Sequence, residues 1–171
     1  TAFEGSLAAV MASWSETRLR DAFAKGLGKL PRAHQVSAVR RQLDAIKDGQ
    51  ASRFLLQHAP GSGKTEIIAL LTSELLRCDM FDAVIILNYA TELEEQMVRR
   101  ASAFWERAGT MRRYHRAGSI SDVRRIVPKG SVFFALLQKF SEEEKLSPLE
   151  EDSHLPNRFC IIIDEAHRGV P

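Results

Sequence analysis

His58-Ala59-Pro60-Gly61-Ser62-Gly63-Lys64-Thr65 is the stretch that decides the fold. It follows a short apolar run, Phe54-Leu55-Leu56, and precedes a segment in which Ile67, Ile68, Leu71 and Leu75 fall on one helical face. Strand, glycine-containing loop and helix form the context that separates a phosphate loop from a chance match. Gly61 and Gly63 permit backbone conformations in which successive N–H groups turn inward as an anion nest. The N-terminus of the following helix adds a favourable partial charge. Lys64 is expected to reach the β- and γ-phosphates of a nucleotide, and the Thr65 hydroxyl to ligate magnesium. Pro60, Gly61, Ser62 and Gly63 complete the phosphate-binding stretch. The general pattern has glycine five residues before Gly63, where this sequence has His58. A ligand-free loop is the alternative, and the Lys-Thr pair argues against it.

Outward from this loop, helical and strand-like stretches alternate. Val36, Val39, Leu43 and Ile46 recur at helical spacing after Pro31, with Gly49 placed to stop the run, which predicts a helix over about 32–48. Residues 3–26 read as one or two amphipathic helices, with Ser13 and Glu16 as a capping box and Gly26 and Gly28 ending the run. Ala83 to Leu87 is a buried-strand candidate, and Thr91 with Glu94 forms a second capping box before a helix running toward Trp105. Val132 to Leu136 and Phe159 to Ile163 are continuous apolar runs, as strands covered on both faces should be. Strands separated by helices predict an α/β fold, a parallel sheet sandwiched by helices. Such sheets bind ligands beyond the carboxyl ends of their strands. The expected organisation is an N-terminal helical extension over 1–30 and a nucleotide-binding lobe over 31–171.

Cys160 to Ile163 lead directly into Asp164-Glu165-Ala166-His167. A carboxylate at the end of a buried strand is costly to place there unless a cation or donors meet it. Magnesium supplies that reason: Asp164 would hold the ion, and Glu165 would orient and deprotonate the attacking water. His167 is then placed to sense the γ-phosphate. An ordinary strand exit with a helix-capping acid is the alternative for the acidic motif taken alone. Glu165 argues against a scaffold that binds nucleotide without hydrolysing it, because such a site needs no water-activating carboxylate.

Lys64-Thr65 followed a hundred residues later by Asp-Glu-Ala-His resembles the first motor lobe of superfamily 2 helicases and translocases, across about residues 30–171. The loop is similar to the Ala-x-x-Gly-x-Gly-Lys-Thr form usual there, with His58 in the place of its alanine. Arg32-Ala-His-Gln35 is similar to the family's Arg-x-x-Gln element, whose glutamine reads adenine; a carboxamide donates and accepts at once, which suits that base edge. A polar residue on a helix face is the alternative for Gln35. The resemblance implies a RecA-like lobe, ATP and Mg2+ as cofactors, a nucleic-acid partner and a second motor lobe that supplies arginines to the transferred phosphoryl group.

Further stretches look like the motor subunit of type I restriction enzymes: the whole phosphate loop, Leu93-Glu-Glu-Gln96, Leu137-Gln138-Lys139-Phe140 and Asp-Glu-Ala-His-Arg168. That likeness implies a translocase of duplex DNA working with methylation and specificity subunits. Asn88-Tyr89 stands where that family has Asp-Arg, and Ala135-Leu136 where it has threonines. Gln138 and Lys139 are candidates for phosphate contact, against a reading in which they flank a core phenylalanine. Another superfamily 2 DNA or RNA helicase is the nearest alternative. An endonuclease site is not visible between Thr1 and Pro171; a nuclease would lie upstream. The chain starts without methionine and stops just after its strongest motif, so it reads as part of a longer protein whose first lobe alone would hydrolyse ATP barely.

Bulk properties agree with a folded domain. At 171 residues the chain can bury roughly two-thirds of its unfolded surface. Apolar residues make up 44% and charged residues 27%, which excludes a disordered segment. Cys78 and Cys160 match neither a metal-ligand spacing nor a disulfide framework, and read as buried, reduced thiols of a cytoplasmic protein. No apolar run is long enough to cross a bilayer. The net charge of +2 is unevenly spread. From Arg99 to Lys129 nine Lys/Arg stand against Glu106 and Asp122, an excess of seven positive charges that includes Arg112 and Arg113. This stretch fits a surface facing a phosphate backbone, or a solvated helical face. From Ser141 to Asp152 six acids stand against Lys145 alone, as in a solvated loop.

Overall fold

The structure, a computed structural model, describes residues 14–49, 55–110, 113–117, 130–138 and 158–164. Its helices are α1 (Glu16–Leu27), α2 (Ala33–Lys47), α3 (Lys64–Arg77) and α4 (Thr91–Ala108), and its strands are β1 (Ala83–Asn88), β2 (Tyr114–Arg116), β3 (Ser131–Leu136) and β4 (Phe159–Ile163). The contacts divide the chain into two compact units, Thr1–Glu74 with Arg100–Met111, and Leu75–Arg99 with Arg112–Pro171.

In the first unit α1 packs on α2. The N-cap of α1 is Ser15, whose side chain accepts a hydrogen bond from Arg18 N at 3.3 Å. This corrects the expected box: Glu16 is the first helical residue, and Ser13 lies outside the described residues. Gly28 ends α1 in the left-handed region, with φ 69, and its N–H donates to Ala24 O. Gly26, expected as a terminator, sits inside the helix because the Phe104 ring occupies the space a side chain would need. Phe23 meets Phe104 edge to face at 5.9 Å, and Trp105 Nε1 donates to Ala69 O at 2.9 Å. Leu19, Phe23, Val36, Val39, Leu43 and Ile67 are fully buried around them.

The strand expected ahead of the phosphate loop is absent among the described residues. Leu55 and Leu56 lie in irregular chain, Leu55 is 83% exposed, and Phe54 lies outside the described part. A strand persists only where another pairs its N–H and C=O groups, and none of the four sheet strands does so for this segment.

The second unit holds the sheet, ordered β2-β3-β1-β4 and parallel throughout. Parallel neighbours require crossover connections, and α4 follows β1 in that role. The chain is therefore an α/β domain, as its alternation of elements predicts, and of the RecA-like kind that the resemblance implies. β1 is buried along its whole length, and β3 along all but its last residue. β4 departs from the expectation of two covered faces, since Ile161 is 58% exposed, because β4 is an edge strand among the described residues. β2 is a strand that the apolar pattern does not announce. It pairs Tyr114–Arg116 with Val132–Phe134. Helix α4 starts at Thr91, with Ala90 O accepting from Glu94 N, so Ala90 rather than Thr91 occupies the cap. No helix among the described residues is long and apolar enough to cross a membrane.

Candidate functional site

The glycine-containing loop ahead of α3 carries two left-handed residues. Gly61 has φ 74 and Gly63 φ 89, both in the region that side chains disfavour. Ser62 N donates to Ala59 O at 3.2 Å, which folds the loop back on itself. Gly63 O accepts the first α3 bond from Ile67 N at 3.1 Å, so Lys64 and Thr65 open the helix at its positive end. Both are half-buried.

Two side chains of the Arg32–Gln35 element hold the crest of this loop. Gln35 is 5% exposed; its Nε2 donates to Ser62 O at 3.3 Å, and its Oε1 accepts from Arg32 N at 2.9 Å. Adenine would therefore have to be read through the remaining Nε2 hydrogen and Oε1 lone pair. His34 Nε2 lies 3.1 Å from the same Ser62 O. A carbonyl only accepts, so that nitrogen carries the hydrogen. His34 also packs against His58, with ring centroids 5.6 Å apart. Sequence reasoning assigned no role to His34, because the Arg-x-x-Gln pattern leaves its place open and the contact spans 28 positions.

The loop also holds orphaned polar atoms. Ser62 Oγ and His58 Nε2 are buried without a hydrogen-bond partner. Unmet polar groups in a loop that opens a helix fit an incoming phosphate chain. A Cβ on Gly63 would run into Gln35 Nε2, so the close approach of loop and glutamine requires glycine there.

The acidic end belongs to the second unit. Asp164 follows β4 directly, and its N–H donates to Leu87 O at 3.0 Å, so its carboxylate leaves from the carboxyl edge of the sheet. Asp164 is half-buried; Glu165 and His167 lie outside the described residues. An oxygen donor in that place suits a hard divalent cation. At the opposite end of the same strand pair, Arg158 Nη2 lies 3.0 Å from Asp82 Oδ1, and Arg158 O accepts from Asp82 N at 2.8 Å.

Of the nucleic-acid candidates, Gln138 and Arg113 are exposed, while Arg112 and Lys139 lie outside the described residues. A shallow groove of about 530 Å³ opens on the first turns of α4, lined by Glu92, Leu93, Glu95, Gln96, Arg99 and Arg116. It contains none of the residues assigned to nucleotide.

A parallel α/β sheet, a glycine-containing loop opening one helix and a carboxylate ending one strand are features of nucleotide-binding lobes. The family model described as type III restriction enzyme, res subunit, matches residues 28–171, and the chain belongs to that family. No curated protein and no solved structure matches it.

Proposed function

We propose that this chain is the ATP-binding lobe of an ATP-dependent DNA translocase of a restriction enzyme, of the type I motor-subunit kind that its sequence resembles. The observation that carries the nucleotide part is the phosphate loop, with two left-handed glycines at a helix N-terminus and its crest held by Gln35 and His34. Lys64 places a point charge on the β- and γ-phosphates. Thr65 and Asp164 are the groups that would hold Mg2+, which neutralises charge on the phosphates when bound. Glu165 accepts the proton of the attacking water, and His167 passes the state of the site to the rest of the motor. Duplex DNA, a second motor lobe, and methylation and specificity subunits are the partners of this reading. Another superfamily 2 helicase would use the same lobe on single strands or RNA.

Lys64→Ala is expected to abolish most binding of an ATP analogue in magnesium. Glu165→Gln is expected to keep the nucleotide bound while slowing DNA-stimulated hydrolysis by at least about a hundredfold. Unchanged analogue affinity in the first variant would remove the phosphate-loop assignment, and turnover near the wild-type rate in the second would remove Glu165 as the base. Stimulation by RNA but not by duplex DNA would move the chain to the other helicase branch.

A further inference from the structure

Asn88 ends β1 and is 1% exposed, yet neither its Oδ1 nor its Nδ2 has a hydrogen-bond partner. A carboxamide brings two donor hydrogens and an acceptor with two lone pairs. A buried group that leaves all of them unused is uncommon in a folded chain. Its place in the sheet says what it faces. β1 and β4 pair through Leu87 and Ile163, with Asp164 N donating to Leu87 O in that pair, and the same register continued by one residue sets Asn88 level with Asp164. Residues level with each other on neighbouring strands share a face, with the strands about 4.8 Å apart. Leu136 of β3 is level with Asn88 on its other side. Ala83, Ile85 and Leu87 belong to the apolar cluster of the opposite face, which fixes the alternation along β1. The single polar side chain of β1 thus stands next to the carboxylate that ends β4, at the sheet edge where parallel folds take their ligands.

We propose that Asn88 is a positioning residue for the hydrated divalent cation at Asp164, its Oδ1 accepting from a cation-bound water. This rests on the nucleotide reading above. Leucine or valine would fill the same space without leaving orphaned groups, so the amide makes sense as a group completed by ligand. Outer-shell partners of a bound metal typically change its affinity tenfold or more.

The test compares wild type, Asn88→Leu and Lys64→Ala by thermal melting and by calorimetric titration with ADP, each with and without Mg2+. Asn88→Leu is expected to melt higher than wild type without ligand, because its orphaned groups are gone. It is expected to bind Mg-ADP about tenfold more weakly, with ADP alone bound as by wild type. A lower midpoint together with unchanged Mg-ADP affinity would make Asn88 a structural residue and overturn the proposal. Should Asn88→Leu fail to fold, Asn88→Ser and Asn88→Ala replace it: Mg-ADP affinity kept by serine and lost by alanine supports the role, and equal affinity overturns it. A wild-type Mg-ADP response that vanishes in Lys64→Ala but persists undiminished in Asn88→Leu removes this inference alone. No Mg-ADP response in wild type removes the nucleotide reading and this inference with it.

Discussion

Cys160 lies level with Val84 of β1, and burial pushes its thiol up to about 11. The cause is desolvation, which penalises the charged thiolate. Both cysteines are unbridged, as their spacing implies, but both are half-buried rather than buried, and Cys78 accepts a hydrogen bond from Arg77 Nη2 at 3.1 Å. The thiolate is the reacting form. Cys160 is therefore expected to resist iodoacetamide up to about pH 9 and to react progressively toward about pH 11, lagging Cys78 throughout. Peptide mass spectrometry of native protein labelled across that range checks this, and full labelling of Cys160 near neutral pH would contradict it. The sign for stability follows. The folded chain holds this proton above the ordinary value of 9.0, so the contribution is whole below that pH and is lost as pH rises through about 11.

Helix α1 is joined to α3 by a bidentate ion pair, Arg18 Nη1 and Nη2 to the two oxygens of Glu74 at 2.8 and 3.1 Å. The Glu74 side chain is only 3% exposed. Removing the guanidinium leaves a buried carboxylate without this partner, so Arg18→Met is expected to cost about 3 kcal/mol. Arg18→Met combined with Glu74→Leu should recover most of the loss, because an apolar pair no longer has to be desolvated as charge. Denaturant melts of the four proteins in this cycle measure the coupling, and strictly additive losses would show that the pair has none. Elements of this size are legible in the sequence when their period is local. The Val36–Ile46 spacing gives α2, and the unbroken run Ala83–Leu87 gives β1. β2 is not legible, because Tyr114-His115-Arg116 carries no apolar pattern and is a strand only by pairing with β3. Leu55-Leu56 shows the reverse, an apolar pair that looks like a strand and has no strand beside it among the described residues.

Over the whole molecule the candidate site is legible where its chemistry is contiguous, and opaque where distant segments meet. Eight consecutive residues announce the phosphate loop, whereas the clasp of Gln35 and His34 on Ser62 joins residues 27 and 28 positions apart, for which no spacing rule exists. The basic excess between Arg99 and Lys129 is likewise a count until the structure sorts it. Arg107 Nε donates to Gly26 O at 2.7 Å, and Arg116 lies 3.9 and 3.8 Å from Glu94 and Glu95, so these two arginines already have contacts within the chain. Arg113 is exposed, and Arg112 lies outside the described residues. Each phosphate contact releases condensed counterions, so its loss lowers the slope of log affinity against log salt by roughly one unit. Neutralising Arg112 and Arg113 is therefore expected to weaken duplex binding and flatten that slope by about two units. Arg107→Gln serves as the contrast, because its guanidinium is committed to a helix-end carbonyl; it should lower the melting temperature and leave the slope unchanged. Binding isotherms over a salt series for wild type and both variants decide the matter. An unaltered slope in the Arg112 and Arg113 variant would make the basic stretch a solvated face, and a flattened slope in Arg107→Gln would shift the nucleic-acid surface to the end of α4.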